Sequence, residues 1–253
     1  MLPVWAISII GIFVDPRIIT GAPAWMKPAK FAGSIAIYTL TLAWIFQYLP
    51  DWQQLRQWTG WVTAVTMVIE ITVITLQAAR GTASHFNIGT VFDANLYRIM
   101  GTAIAIAWVA SIAVAFALFQ QKFDDPIMGW ALRIGTLITV FGAATGGLMT
   151  TPTSAQLAEA RATHHMTMVG AHTVGAPDGG PGIPIAGWSK KHGDLRVPHF
   201  IGLHAMQFLP LLALLWKPER ASSIIVAGSA YALIFILTLA ISLAGRPITG
   251  GVQ

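Results

Sequence analysis

A chain of 253 residues with 55% hydrophobic and only 10% charged side chains lies far from soluble proteins, in which about a quarter of residues are charged. The mean hydropathy is +0.65, and the apolar runs recur along the whole length, so residues 1–253 read as one membrane domain rather than a soluble domain with an anchor. The absence of cysteine excludes disulfides, thiolate metal sites and iron–sulfur clusters, and the net charge of +5 is spread singly between apolar runs, which argues for membrane-helix flanks and against nucleic acid.

Residues 1–14, MLPVWAISIIGIFV, lack the basic start and small-residue cleavage site of a signal peptide and are read as part of the mature structure, though short for a full span. Six stronger runs follow: Phe31–Leu49, Trp58–Ala79, Tyr97–Phe119, Met128–Met149, Pro198–Trp216 and Ser222–Ala244. Each approaches the roughly 20 residues a helix needs to cross about 30 Å of hydrocarbon. None alternates apolar with polar as a barrel strand would. The expected fold is therefore all-α, a polytopic bundle of six to seven transmembrane helices with one long capping loop. Trp25, Tyr48, Trp52, Trp58, Tyr97, Trp130, Trp188 and Trp216 near the run ends suit interfacial rings.

Counting residues 1–14 as the first helix gives the loops two faces, A and B. Ten of the 15 basic residues fall on face A, which favours A as cytoplasmic, although four of them belong to a single loop. That loop, 150–197, opens with a helical-looking SAQLAEARATHHMTMVGAH and continues as Gly/Pro-rich GAPDGGPGIPIAGW. Long connections of this kind are functional or disordered, and a folded cap on face A is expected, with a plain tether as the alternative.

All seven histidines, His85, His164, His165, His172, His192, His199 and His204, lie in face A loops or adjoining helix ends. Glu70 sits near the middle of its run and shares a helix face with Gln77, with Arg80 and Ser84 close to it. An ionisable residue at that depth normally faces the bundle interior, which makes Glu70 the catalytic or proton-handling candidate; a protonated carboxyl bonded to a neighbouring helix is the alternative. In VPHFIGLHAMQFLP, His199 lies at the membrane entrance, with His204 and then Gln207 deeper on the same run. Five residues separate the two histidines, about 140° around a straight helix, so they serve different partners. His204 is the better buried ligand, and a core hydrogen-bonding histidine is the alternative. His165 and His172 would share one face of a cap helix and could join a metal site with Glu159 or Asp178, although no HExxH pattern is present. Gly142, Gly146 and Gly147 allow a backbone or a flat ring to approach, and Arg80, Arg98 and Arg246 stand at face A helix ends, where heme propionates or lipid phosphates would suit them.

The stretches GAPAWMKPAKFAGSIAIYTLTLAW, RGTASHFN and GDLRVPHFIGLHAMQFLP resemble segments of an uncharacterised family of bacterial multi-pass membrane proteins. The resemblance implies a bacterial inner-membrane setting and no particular activity. From the residues, three functions stay open. The first is a redox protein holding heme b, or a copper or other metal ion, through His85 and His204, with His199, His165 and His172 as further ligands and Arg80, Arg98 and Gln207 in support, exchanging electrons with quinol. The second is a proton-coupled transporter or channel built on Glu70. The third is a non-catalytic accessory subunit, or a homo-oligomer, whose histidines only hydrogen-bond.

Overall fold

The computed structural model describes residues 1–248, and these form an all-α bundle with almost no sheet. Helix α1 (Leu2–Val14) spans about 20 Å at 1.5 Å per residue, short of a crossing. Four long apolar helices follow it: α2 (Met26–Ile45, extended by one 3₁₀ turn to Tyr48), α3 (Gln53–Arg80), α4 (Val91–Gln120) and α5 (Pro126–Met149). After α6 (Ser154–Thr163) in the cap come α7 (Arg196–Leu203), α8 (Ala205–Trp216) and α9 (Ala221–Leu243). Among the described residues five helices are long and apolar enough to cross a membrane, and the α7–α8 pair, bent by 45°, passes the same length and composition test only when taken together, as a broken span or a re-entrant loop.

Helix α5 is the hub, packed on α4, α7, α8 and α9. Its glycines explain this closeness: a Cβ on Gly142 would sit 2.5 Å from the Gly202 backbone, and one on Gly135 would sit 2.8 Å from the Ala205 carbonyl. Small residues bring helix backbones together where lipid supplies no hydrophobic drive. Gly142 thus serves helix packing, Gly146 lies under the His199 ring, and Gly147 meets nothing within 4 Å.

The run Pro198–Trp216 does not form one straight helix, because α7 and α8 meet at His204 with a 45° bend. Thr139 of α5 is inserted there: its hydroxyl accepts from the Met206 N–H (3.1 Å) and faces the Gly202 and Leu203 carbonyls (3.2 and 3.3 Å). A side chain entering the helical ladder is an established cause of a kink. The Tyr231 hydroxyl satisfies a further carbonyl, that of Ile201, at 2.7 Å.

At the end of the bundle where α3 finishes, four segments assemble. The hairpin of β1 (Ile18–Ile19) and β2 (Ala22–Pro23) touches the cap, where Gly21 abuts the Gly179 backbone. Lys30 of α2 donates to the Ala186 carbonyl (3.0 Å), and Ser242 of α9 donates to the Asp194 carbonyl (2.9 Å). Connection 81–90 pairs with the cap through Ile88 N–H to the Thr167 carbonyl (2.9 Å) and Val169 N–H to the Phe86 carbonyl (2.8 Å). Segment 150–197 is therefore tied to the bundle at several points. Its own sheet is one short pair, β3 (Thr173–Val174) with β4 (Gly193–Asp194).

Candidate functional site

The chemistry gathers where connection 81–90 turns back into the bundle. Helix α3 ends in a glycine cap: Gly81 takes φ 74°, and the Thr82 N–H returns to the Gln77 carbonyl (3.0 Å). Arg17 donates to the exposed Ala79 carbonyl at 2.9 Å. The chain then dives inward, burying Ser84, Phe86 and Asn87, and Asn87 ties the turn together by donating to Thr82 Oγ1 (3.0 Å) and the Ala83 carbonyl (3.1 Å). Phe86 adopts φ 65°, a left-handed conformation costly for a bulky side chain. Its ring is held by Tyr97 and by His172, with centroids 6.0 and 4.9 Å away. This fold-back is what places His85.

His85 Nε2 lies 3.4 Å from Glu70 Oε1, and the Glu70 side chain is only 2% exposed. The other carboxylate oxygen, Oε2, is buried without a partner among the described residues. His85 Nδ1 stands 3.2 Å from Ser84 Oγ, and its ring lies 5.7 Å from that of Phe31 on α2. One turn earlier, Lys27 holds its amine 5.8 Å from the same Phe31 ring. Lys27 forms no ion pair or hydrogen bond among the described residues. Burial keeps the His85 imidazole well below its usual range, and the nearby Lys27 charge adds to the effect, so the ring is neutral.

The cap holds a pocket of about 390 Å³, lined by Thr173, Asp178, Gly187, Ser189, His192 and Arg196, among others. Asp178 accepts from the backbone N–H groups of His172 and Thr173 and from His172 Nδ1 (2.6 Å). Burial opposes its ionisation, but the bonds from His172 and the two backbone donors win and hold the carboxyl well below the ordinary range. Burial likewise lowers His172, leaving a neutral ring that donates through Nδ1. Arg196 is fixed by Asp194 (2.6 Å) and by the Gly187 carbonyl (2.6 Å). Asp178 and Arg196 are the paired charged groups of this pocket, each held by its own partners in the cap.

The other sequence candidates are placed as follows. Arg80 NH1 donates to Asp93 Oδ1 (2.6 Å) and to Gln77 Oε1, while Asp93 also accepts from Gln77 Nε2 (2.8 Å) and Thr90 Oγ1 (2.6 Å). Arg80 therefore pins α3 to α4. Arg98 is exposed two turns inside α4, with Asn95 Oδ1 (3.3 Å) as its partner. His199 Nδ1 lies 2.8 Å from the Gly142 carbonyl and 3.2 Å from Thr145 Oγ1. His204 stands at the α7–α8 joint with its ring 4.3 Å from Phe200, and Gln207 reaches Thr41 Oγ1 on α2 at 3.2 Å. No hydrogen bond or ring contact links His85 with His204 among the described residues.

His165 and His172 do not share a helix face, contrary to the expectation from spacing. Helix α6 ends at Thr163, whose hydroxyl turns back to the Glu159 carbonyl (2.8 Å), and His164 takes the left-handed capping conformation at φ 55°. His165 is left exposed, while the following residues pair with connection 81–90 and carry His172 inward. Among the described residues no group of three or more histidines and carboxylates is arranged to hold a metal ion.

Sequence reasoning missed Lys27, Phe31 and Asp93 as members of this region. Lys27 and Lys30 in MKPAK look like ordinary flanking charges, and only the absence of an acidic neighbour in that stretch hinted otherwise. Comparison with family models, with curated proteins and with solved structures gives no match, so the geometry alone carries the functional argument.

Proposed function

We propose that this chain is a proton-coupled transporter of a bacterial inner membrane, in which Glu70 and His85 carry the proton and the cap pocket gives access from face A. One observation carries the reading: a carboxylate within a membrane-spanning helix, with the His85 imidazole 3.4 Å from one oxygen and the other oxygen without a partner among the described residues. Ionisable groups inside a bilayer are expensive and mark ion or proton pathways. Two further features favour it. The α7–α8 pair is a bent, discontinuous helix, as is typical of secondary-transporter sites, and Asp178 and Arg196 line a pocket in the cap that pairs with the connection carrying His85.

The test is proton uptake by proteoliposomes loaded with a pH-sensitive dye. The native chain gives pH-gradient-driven flux, and Glu70→Gln abolishes it while still assembling as a monodisperse particle. Unchanged flux in Glu70→Gln removes the proposal.

The redox reading, with heme b or a metal ion and quinol as electron partner, is favoured by a separate observation. His172 and His199 each have Nδ1 engaged by an oxygen acceptor, which fixes Nε2 as the lone-pair nitrogen in the way that partners of ligating histidines do. His85 fits a ligand role less well because its Nε2 faces Glu70. A Soret band or stoichiometric metal in the purified protein, lost in His199→Ala, supports this second reading, and a colourless, metal-free preparation ends it.

A further inference from the structure

We infer that the outer groove between α3 and α4 is a binding site for one anionic phospholipid of the face A leaflet, with Arg98 receiving the phosphate. The groove has a volume of about 610 Å³ and is lined by Trp61, Val65, Ile69, Ile99 and Ile106, among others, with Arg98 as its one charged lining residue. Trp61, Val65, Ile99 and Ile106 are exposed on the bundle surface, so the groove opens toward lipid.

Two lengths set the depth. Arg98 lies seven residues beyond the start of α4 at Val91, about 10 Å along the axis. The 30 residues of α4 span about 45 Å, the full thickness of a bilayer with its headgroups, so a point about 10 Å in lies at the level where headgroups give way to acyl chains. From Arg98 to Ile106 the groove extends eight residues further, about 12 Å, close to the roughly 15 Å thickness of one hydrocarbon leaflet. A single acyl chain hanging from a phosphate at Arg98 therefore fills it.

Charge chooses among occupants. The Arg98 guanidinium has no ion pair among the described residues, its one partner being the neutral Asn95. A second copy of this chain brings no counter-charge to that depth: of the ten acidic residues only Glu70 and Asp93 lie in α2, α3, α4, α5 or α9, and both are buried. The occupant must supply its own anion. A phosphate takes a guanidinium through paired, charge-assisted hydrogen bonds, and a headgroup with no compensating cation keeps the whole attraction.

Native mass spectrometry of the detergent-purified chain, titrated with dioleoyl phosphatidylglycerol or dioleoyl phosphatidylcholine, tests the assignment. The expected result is about tenfold tighter retention of phosphatidylglycerol, equivalent to about 1.4 kcal/mol. Arg98→Gln brings the two lipids to parity, and Thr102→Trp, which fills the groove from an exposed position, weakens both. Equal retention by the native chain, or a preference that survives Arg98→Gln, overturns the site. Because the chain has no cysteine, Thr102→Cys supplies a unique thiol. Efficient disulfide-linked dimers through it would show that a second copy covers the groove, and would overturn the lipid assignment as well.

Discussion

The Glu70 carboxylate and the His85 imidazole lie 3.4 Å apart even though Glu70 sits ten residues, about 15 Å, below the end of α3 and His85 follows that end. The connection after α3 must therefore fold back into the bundle. The strained Phe86, the buried Asn87 and the pairing with the cap together hold that fold-back in place.

Glu70→Gln is expected to remove proton flux by about 100-fold or more, the scale of losing a positioned acid–base group. The thermal midpoint of the purified protein should hold or rise, because a neutral amide replaces a buried carboxyl whose Oε2 lacks a partner among the described residues. Glu70→Asp retains an acid but withdraws it by one methylene from His85, and flux should fall between the two. A melt paired with the liposome assay separates the proton role from a packing role.

Acid should destabilise the protein through its buried imidazoles. Burial lowers His85 and His172 below the ordinary 6.5, so as pH falls the unfolded chain takes up protons before the folded one. Their contribution is whole above about 6.5 and is lost below it, at no more than about 1.4 kcal/mol per pH unit for each ring. Melting curves between pH 7.5 and 5 should decline below about 6.5, and His85→Gln should flatten that slope. An unchanged slope would mean that His85 does not change protonation on unfolding.

Helix packing makes a sharper contrast. Gly142→Ala drives a methyl group into the Gly202 backbone, and since neither helix has a side chain that can yield, a loss of about 1–3 kcal/mol is expected. Gly147→Ala, five residues on, meets open space and should leave the melting temperature unchanged. Equal effects of the two substitutions would mean that α5 and α7 are not held backbone to backbone at Gly142.

Much of this architecture was legible in the sequence because hydrocarbon is an unforgiving solvent: apolar runs of sufficient length mark the helices, and tryptophan and tyrosine mark their ends. The depth of Glu70 was legible for the same reason. What escaped depends on contacts between distant segments. The break at His204 requires Thr139 from another helix, so the local run VPHFIGLHAMQFLP reads as continuous. Helix α6 ends early where His164 turns left-handed and the next residues pair with connection 81–90, against a sequence that continues without a proline or glycine until Gly170. His85 read as a loop residue at the membrane face because nothing in RGTASHFN announces that the loop turns inward; that follows from Phe86 packing on Tyr97 and His172. Lys27 was hidden by resembling a flank charge.

Asp93 offers the last test, since it fixes the helix ends that frame this connection. Its carboxylate accepts from Gln77 and Arg80 on one oxygen and from Thr90 on the other, joining α3, the loop and α4. In Asp93→Asn the amide keeps one acceptor oxygen but loses the charge, and its NH₂ group faces the Thr90 hydroxyl that formerly donated. Arg80 is 37% exposed, so solvent takes up part of its charge and the loss should be modest, about 1–2 kcal/mol. The more informative effect is on the site: with α3 and α4 no longer clamped, the 81–90 connection loosens and His85 leaves Glu70. Proton flux should then fall further than the stability change alone explains. Hydrogen exchange should rise in residues 82–90 while the α5–α8 core stays protected, and uniform exchange across both regions would show that Asp93 supports the whole bundle rather than this connection.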